Sequence, residues 1–170
     1  MIKLSEKLVA EIKRHAEAAY PHECCGLLVG RIEGGGRTRS VFETYPVENV
    51  FEEGERHHRM SIEPLEYARA ERLYAKRGLG VVGNYHSHPD HPAVPSQYDL
   101  EHLAPWPTMS YVVVSVREGK AVDLRSWELK ADRSRFDEEE VARVAAEEPS
   151  DKDGDEKKGG EDKVAVKHEE

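Results

Sequence analysis

Two short segments, His86-Ser87-His88 and Ser96-Gln97-Tyr98-Asp99, carry the residue types of a reactive site. Residues two apart in a strand point to the same side. A strand ending at His88 therefore aims both imidazoles at one point. Ser96 opens a short helical stretch, so Asp99 lies one turn in and faces back across the Pro-rich loop 89–95. Two imidazoles and one carboxylate suit zinc, and three protein ligands leave a fourth position for water, as in catalytic sites. Zinc lowers the pKa of its water to about 7, and hydrolysis then needs a group to take that proton and deliver it to the leaving amine. Glu23, just ahead of the apolar run Cys25–Ile32, is the candidate, provided that run neighbours the histidine strand.

Each piece also has a plainer reading. His-x-His pairs arise by chance. Ser96-x-x-Asp99 matches a capping box, in which the carboxylate bonds the backbone N–H of the cap. Glu23 alone reads as a surface carboxylate. The combination is what points to chemistry.

The elements that must hold these residues follow from periodicity. Ser5 is a candidate N-cap for a helix carrying Leu8, Ile12, Ala16 and Ala19, stopped by Pro21. Cys25–Ile32 reads as a buried strand, Gly34–Gly36 as a turn, and Arg37–Tyr45 as the antiparallel return. Residues 49–59 read as a polar loop, with a short strand near His57–Ser61. A helix with Pro64 in its first turn runs to about Arg77, with Gly78 as its stop. Leu79–His86 is a central strand, Ser96–Leu103 a short helix, and Tyr111–Val116 and Ala121–Trp127 two more strands. Phe136–Ala146 reads as a final helix. The pattern suggests an α/β fold, a single mixed β-sheet flanked by helices.

A chain of 170 residues fits one domain. Its net charge of −9 is unevenly spread. Residues 1–130 hold 17 basic and 19 acidic side chains, a net −2, whereas residues 131–170 hold 8 and 15, a net −7. A Lys/Arg-rich face for nucleic acid is not indicated. No apolar run reaches the roughly 18–20 residues of a membrane span, and the amphipathic start lacks a secretory apolar region. The two cysteines, Cys24 and Cys25, are adjacent and read as free thiols of a reducing cytoplasm. The sequence divides into a domain at 1–130, a helix within 131–147 and a disordered acidic tail at 148–170. Oligomeric state is not legible.

Glu23, His86-Ser87-His88, Ser96 and Asp99, in this order and spacing, resemble the JAMM motif of the MPN-type metallopeptidases. Gly26-Leu27-Leu28-Val29-Gly30, Gly83-Asn84-Tyr85 and Pro95 are similar to that family as well, and the likeness runs over roughly residues 3–130. It resembles the stand-alone prokaryotic branch. The resemblance implies a cytidine-deaminase-like MPN fold. It implies zinc held by His86, His88 and Asp99, Glu23 as general acid/base, and Ser96 as donor to the oxyanion. It also implies hydrolysis of the amide or isopeptide bond after the C-terminal Gly-Gly of a ubiquitin-like or sulfur-carrier protein. By analogy, residues 49–60 would wall the channel for that tail. Arg56, Arg59, His57, His58 and His91 read more simply as surface groups, and Cys24 as packing. Two other readings stay open: a non-catalytic MPN scaffold that binds ubiquitin-like tails, and a zinc hydrolase of small molecules or generic peptides.

Overall fold

The computed structural model describes residues 1–102 and 106–149. The chain forms β1 (Ile2–Ser5), α1 (Glu6–Ala19), β2 (Cys25–Glu33) and β3 (Thr38–Val47), then α2 (Pro64–Tyr74), β4 (Gly80–Pro89) and α3 (Gln97–His102). It ends in β5 (Ser110–Arg117), β6 (Lys120–Leu129), β7 (Phe136–Glu139) and β8 (Val141–Val144). The strands make one mixed sheet in the order β7-β6-β5-β4-β2-β3-β1-β8. This is the α/β sheet with flanking helices that the periodicity suggests. Among the described residues no helix is long and apolar enough to cross a membrane.

Ser5 caps α1, its hydroxyl accepting the Leu8 N–H at 3.2 Å. The buried stripe Leu8, Val9, Ile12 and Ala16 packs on one face of the sheet with Ile2, Leu4, Cys24, Leu28, Val82, Tyr85, Val112 and Val114. On the other face Ala70 of α2 meets Cys25, Leu27, Val47, Met60 and Val81. Adjacent residues of β2 thus divide between two cores, which explains why its first six residues, Cys25–Gly30, are apolar and buried.

One irregularity governs β4. Leu28 pairs with Gly83 while the next residue, Val29, pairs with Val81, so Val82 is an extra residue. Such a bulge shifts the side-to-side alternation of its strand. Val81 faces the α2 core, but Tyr85 faces the α1 core. Beyond the bulge the even-numbered residues therefore point toward α2. Asn84 does so visibly, its Nδ2 donating to the Tyr67 hydroxyl of α2 at 3.2 Å. Gly83 sits where a Cβ would stand 2.2 Å from the Ser110 carbonyl oxygen of β5, so no side chain fits at the bulge.

The expected helix over Phe136–Ala146 is not formed. Phe136–Glu139 and Val141–Val144 are strands, and they pair with β6 and β1 at opposite ends of the strand order. Only Glu140 lies between them, so the two ends of the sheet meet there. The Glu-rich composition suits a helix, but pairing outweighs local preference. Glu139 is buried, accepting from Ser126 Oγ at 2.7 Å and from Arg39 at 3.4 Å. Arg39, on β3, also pairs with Glu128 on β6 and donates to the Thr108 carbonyl at 3.0 Å. The sheet therefore extends past residue 130. Two smaller departures are β1, which the sequence does not announce, and His57–Ser61, which is turn and loop rather than strand. Of the expected tail, residues 150–170 lie outside the described residues.

Truncation after Glu147 should leave the thermal melting midpoint unchanged. Truncation after Lys130 strips the outer neighbours of β6 and β1 and should abolish cooperative melting, as followed by circular dichroism.

Candidate active site

His86 and His88 lie near the end of β4, on the α2 side of the sheet. Their Nε2 atoms are 3.0 Å apart, and Asp99 Oδ2 lies 3.3 Å from the first and 3.2 Å from the second. All three residues are buried. They are the one cluster of three or more metal-ligating side chains found among the described residues. Bonds of about 2.0–2.1 Å in a tetrahedral zinc site would separate ligand atoms by about 3.3 Å. The observed triangle matches that spacing. His88 Nδ1–H donates to the Pro92 carbonyl at 2.9 Å, which leaves the Nε2 lone pair facing the cluster. His86 Nδ1 has no hydrogen-bond partner among the described residues, so that ring is held by burial and by its Nε2 contact with Asp99. These three donors fit a zinc ion.

Asp99 reaches the cluster from α3 because Ser96 caps that helix. Ser96 Oγ accepts the Asp99 N–H at 3.1 Å, and Asp99 Oδ2 accepts the Ser96 N–H at 2.7 Å. This is a reciprocal capping box. The capping reading of the tetrapeptide is met, and the same geometry turns Asp99 Oδ2 toward the two imidazoles. The Ser96 hydroxyl keeps its own proton free to donate elsewhere.

The charges follow from burial and pairing. Burial penalises the Asp99 carboxylate, but the two imidazoles and the Ser96 N–H outweigh it and hold the group well below the usual range. Burial lowers the His86 pKa. At His88 burial acts the same way, but Asp99 and Glu23 prevail and the net shift is upward.

Glu23 precedes β2, and β2 lies beside β4 with Cys25 opposite His86. The adjacency required by the sequence is present. Ser87 N–H donates to the Cys24 carbonyl at 3.2 Å, and Cys24 N–H to Ser87 Oγ at 2.8 Å, extending the pairing toward Glu23. The Glu23 side chain is buried, and its Oε2 has no hydrogen-bond partner. Burial pushes its carboxyl up to about 8, Asp99 adds to that, and His88 and Arg59 oppose it. A carboxyl so placed holds a proton near neutral pH.

Around this centre Tyr98 of α3 packs edge-on against Phe51, with centroids 6.2 Å apart, and beneath the Arg59 guanidinium at 3.9 Å. The segment 49–61 is thereby fastened beside the cluster. Arg59 is not a simple solvated charge: it stacks on Tyr98 and lies close enough to act on Glu23. His57 and His58 pair with each other at the surface, and His58 also pairs with Glu55. Cys24 and Cys25 are free and buried. Asn49, buried between Glu23 and Arg59, is a residue that sequence reasoning missed; only its place two residues past β3 hints at it.

A mixed sheet with helices on both faces, and a His-His-Asp cluster beside the end of its central strand, make this an α/β domain with a candidate metal centre. Residues 5–130 match the family described as prokaryotic homologs of the JAB domain, and the chain belongs to that family. The Desampylase of Haloferax volcanii is 31% identical over 110 residues, covering 65% of this chain and 74% of that protein. Tail tip assembly protein K of Escherichia phage N15 is 32% identical over 112 residues, 64% of this chain but only 40% of the phage protein. Among solved structures, protein DSY2949 of Desulfitobacterium hafniense is 37% identical with a TM-score of 0.72, covering 85% of this chain and 94% of that one.

With metal withheld, the raised Glu23 pKa predicts a stability profile. The unfolded carboxyl titrates near 4.5 and the folded one near 8, so the folded state binds more protons between those values. Stability should fall as pH rises through that window. Metal-free Glu23→Gln should lack this fall and exceed the wild type at pH 8 by a few kcal/mol, measured by urea unfolding at stepped pH.

Proposed function

We propose that this protein is a zinc-dependent hydrolase that cleaves the amide or isopeptide bond following the C-terminal Gly-Gly of a ubiquitin-like or sulfur-carrier protein. The observation that carries the reading is the buried cluster of His86, His88 and Asp99 with the unpartnered carboxyl of Glu23 positioned by the adjoining strand. Family membership and the relative named Desampylase support the substrate class.

His86, His88 and Asp99 are the residues that would hold the ion. Zinc, when bound, polarises the scissile carbonyl and makes water nucleophilic at neutral pH. Glu23 takes the proton released by the attacking water and delivers it to the leaving amine. Its buried position favours the protonated form, which suits delivery, and a nearby dication would draw its pKa back toward neutrality. Ser96 donates its free hydroxyl proton to the oxyanion while Asp99 N–H continues to hold its oxygen in place. One such donor contributes about 2.7–4 kcal/mol to the transition state. Glycines pass close to a metal because they carry no side chain, and the segment 49–61 with Tyr98 forms one wall of the approach. Buried free thiols accord with a reducing cytoplasm.

Glu23→Gln should retain about one zinc per chain and a melting midpoint no lower than that of wild type but lose turnover. Ser96→Ala should lower kcat by about 100- to 1000-fold. Zinc-loaded protein mixed with carriers extended beyond Gly-Gly should release a new Gly-Gly terminus, read by mass spectrometry. Cleavage of generic peptides at equal rate, or binding of carriers without any cleavage, would overturn the substrate assignment or the enzyme assignment respectively.

A further inference from the structure

Glu23 lies outside the ladder of β2, which begins at Cys25, so something other than the sheet must fix its backbone. Two hydrogen bonds do so, and both come from the segment that follows β3. The Glu23 N–H donates to the Arg56 carbonyl at 2.7 Å. The Glu23 carbonyl accepts from Asn49 Nδ2 at 3.1 Å.

Asn49 is 9% exposed and uses its whole side-chain amide. Nδ2 donates to Glu23 O and, at 2.9 Å, to Arg59 O. Oδ1 accepts Phe51 N–H at 3.1 Å and Ser61 N–H at 3.2 Å. Two carbonyls on one end and two N–H groups on the other leave a single orientation for the amide. The register explains the placement. Cys25 pairs with Val47 in the β2–β3 ladder, so continuing it two residues further sets Glu23 opposite Asn49. Where the backbone ladder stops, a side chain takes over.

Resting on the reading of Glu23 as proton carrier, we infer that Asn49 is a positioning residue for it. It clamps the segment 50–61 and the Glu23 backbone into one unit, so that the wall of the approach and the proton carrier move together. The acceptor pair of Asn49 shapes the segment itself, and the donor pair ties that segment to Glu23. The two halves are separable by substitution. Asn49→Asp keeps the oxygen facing Phe51 and Ser61 but sets a second oxygen against the carbonyls of Glu23 and Arg59. Asn49→Ala removes all four bonds.

The test compares wild type, Asn49→Asp, Asn49→Ala and Glu23→Gln as full-length chains. Amide exchange at Glu23 and trypsin cleavage after Arg56 and Arg59 are read on zinc-free protein. Turnover is read on zinc-loaded protein with a ubiquitin-like carrier fused through Gly-Gly to a reporter peptide. Asn49→Asp should speed exchange at the Glu23 amide at least tenfold and lower kcat by about 100-fold, the loss typical of a 1 Å misplacement. Its KM should stay within about twofold and its zinc content as in wild type, with a lowered melting midpoint but a cooperative transition. Asn49→Ala should do the same and also expose Arg56 and Arg59 to trypsin. Unchanged exchange at Glu23, or a raised KM with unchanged kcat, would overturn the inference by showing that Asn49 only shapes the wall. Should Asn49→Ala fail to fold, Asn49→Asp decides alone. Full turnover in Glu23→Gln, or none in wild type, would instead overturn the functional reading, and the exchange data would still report whether the clamp exists.

Discussion

The site depends on one extra residue. Val82 is accommodated opposite the Leu28–Val29 step of β2, and every side chain of β4 beyond it changes sides. Without that bulge, His86 and His88 would point into the core beneath α1, and Tyr85 would occupy the face toward α2. With it, two imidazoles emerge where α3 can bring a carboxylate, and the β2 register carries Glu23 to the same end. Gly83 makes this affordable because β5 approaches too closely for any Cβ.

The site gathers ionisable groups among buried side chains. Asp99 answers this by sharing one oxygen among two imidazoles and the Ser96 N–H. Glu23 has no such partner, so its charge is held back until a cation or a proton acceptor is near. Two buried carboxyls a short way apart are thus pushed in opposite directions, Asp99 toward the ionised form and Glu23 toward the protonated one. Arg39 with Glu128 and Glu139 shows the opposite use of buried charge. There the ions are paired, and they join strands rather than perform chemistry.

Most of the site could be read from the sequence because its parts are local. The i, i+2 histidines need only a strand, and Ser96-x-x-Asp99 needs only a helix start. Glu23 required an adjacency that periodicity does not supply, and the resemblance provided it. Helix α1, helix α2 and the strands from β2 to β6 were legible for the same local reasons, from their periodicity and their stops. The bulge was not, since an extra valine in an apolar run leaves no compositional trace. The strands β7 and β8 were hidden by acidic residues that favour a helix until Arg39 and the edges of β6 and β1 are in view. Asn49 was invisible because its role is to continue a register, and register is a property of pairs of strands.

The meeting of the sheet's two ends at Glu140 has a consequence for how the chain acquires its shape. β1, the first strand of the sheet in chain order, finds its outer neighbour only in β8, the last of the described strands. The hairpins β2–β3 and β5–β6 form from contacts near in sequence, whereas this parallel pairing spans almost the whole domain. Long-range pairing is slow because loop closure precedes any gain. During synthesis, the strands that carry the reactive residues can therefore assemble first. β1 then waits with an open edge, and the nascent domain stays exposed to wrong partners until the final strand leaves the ribosome.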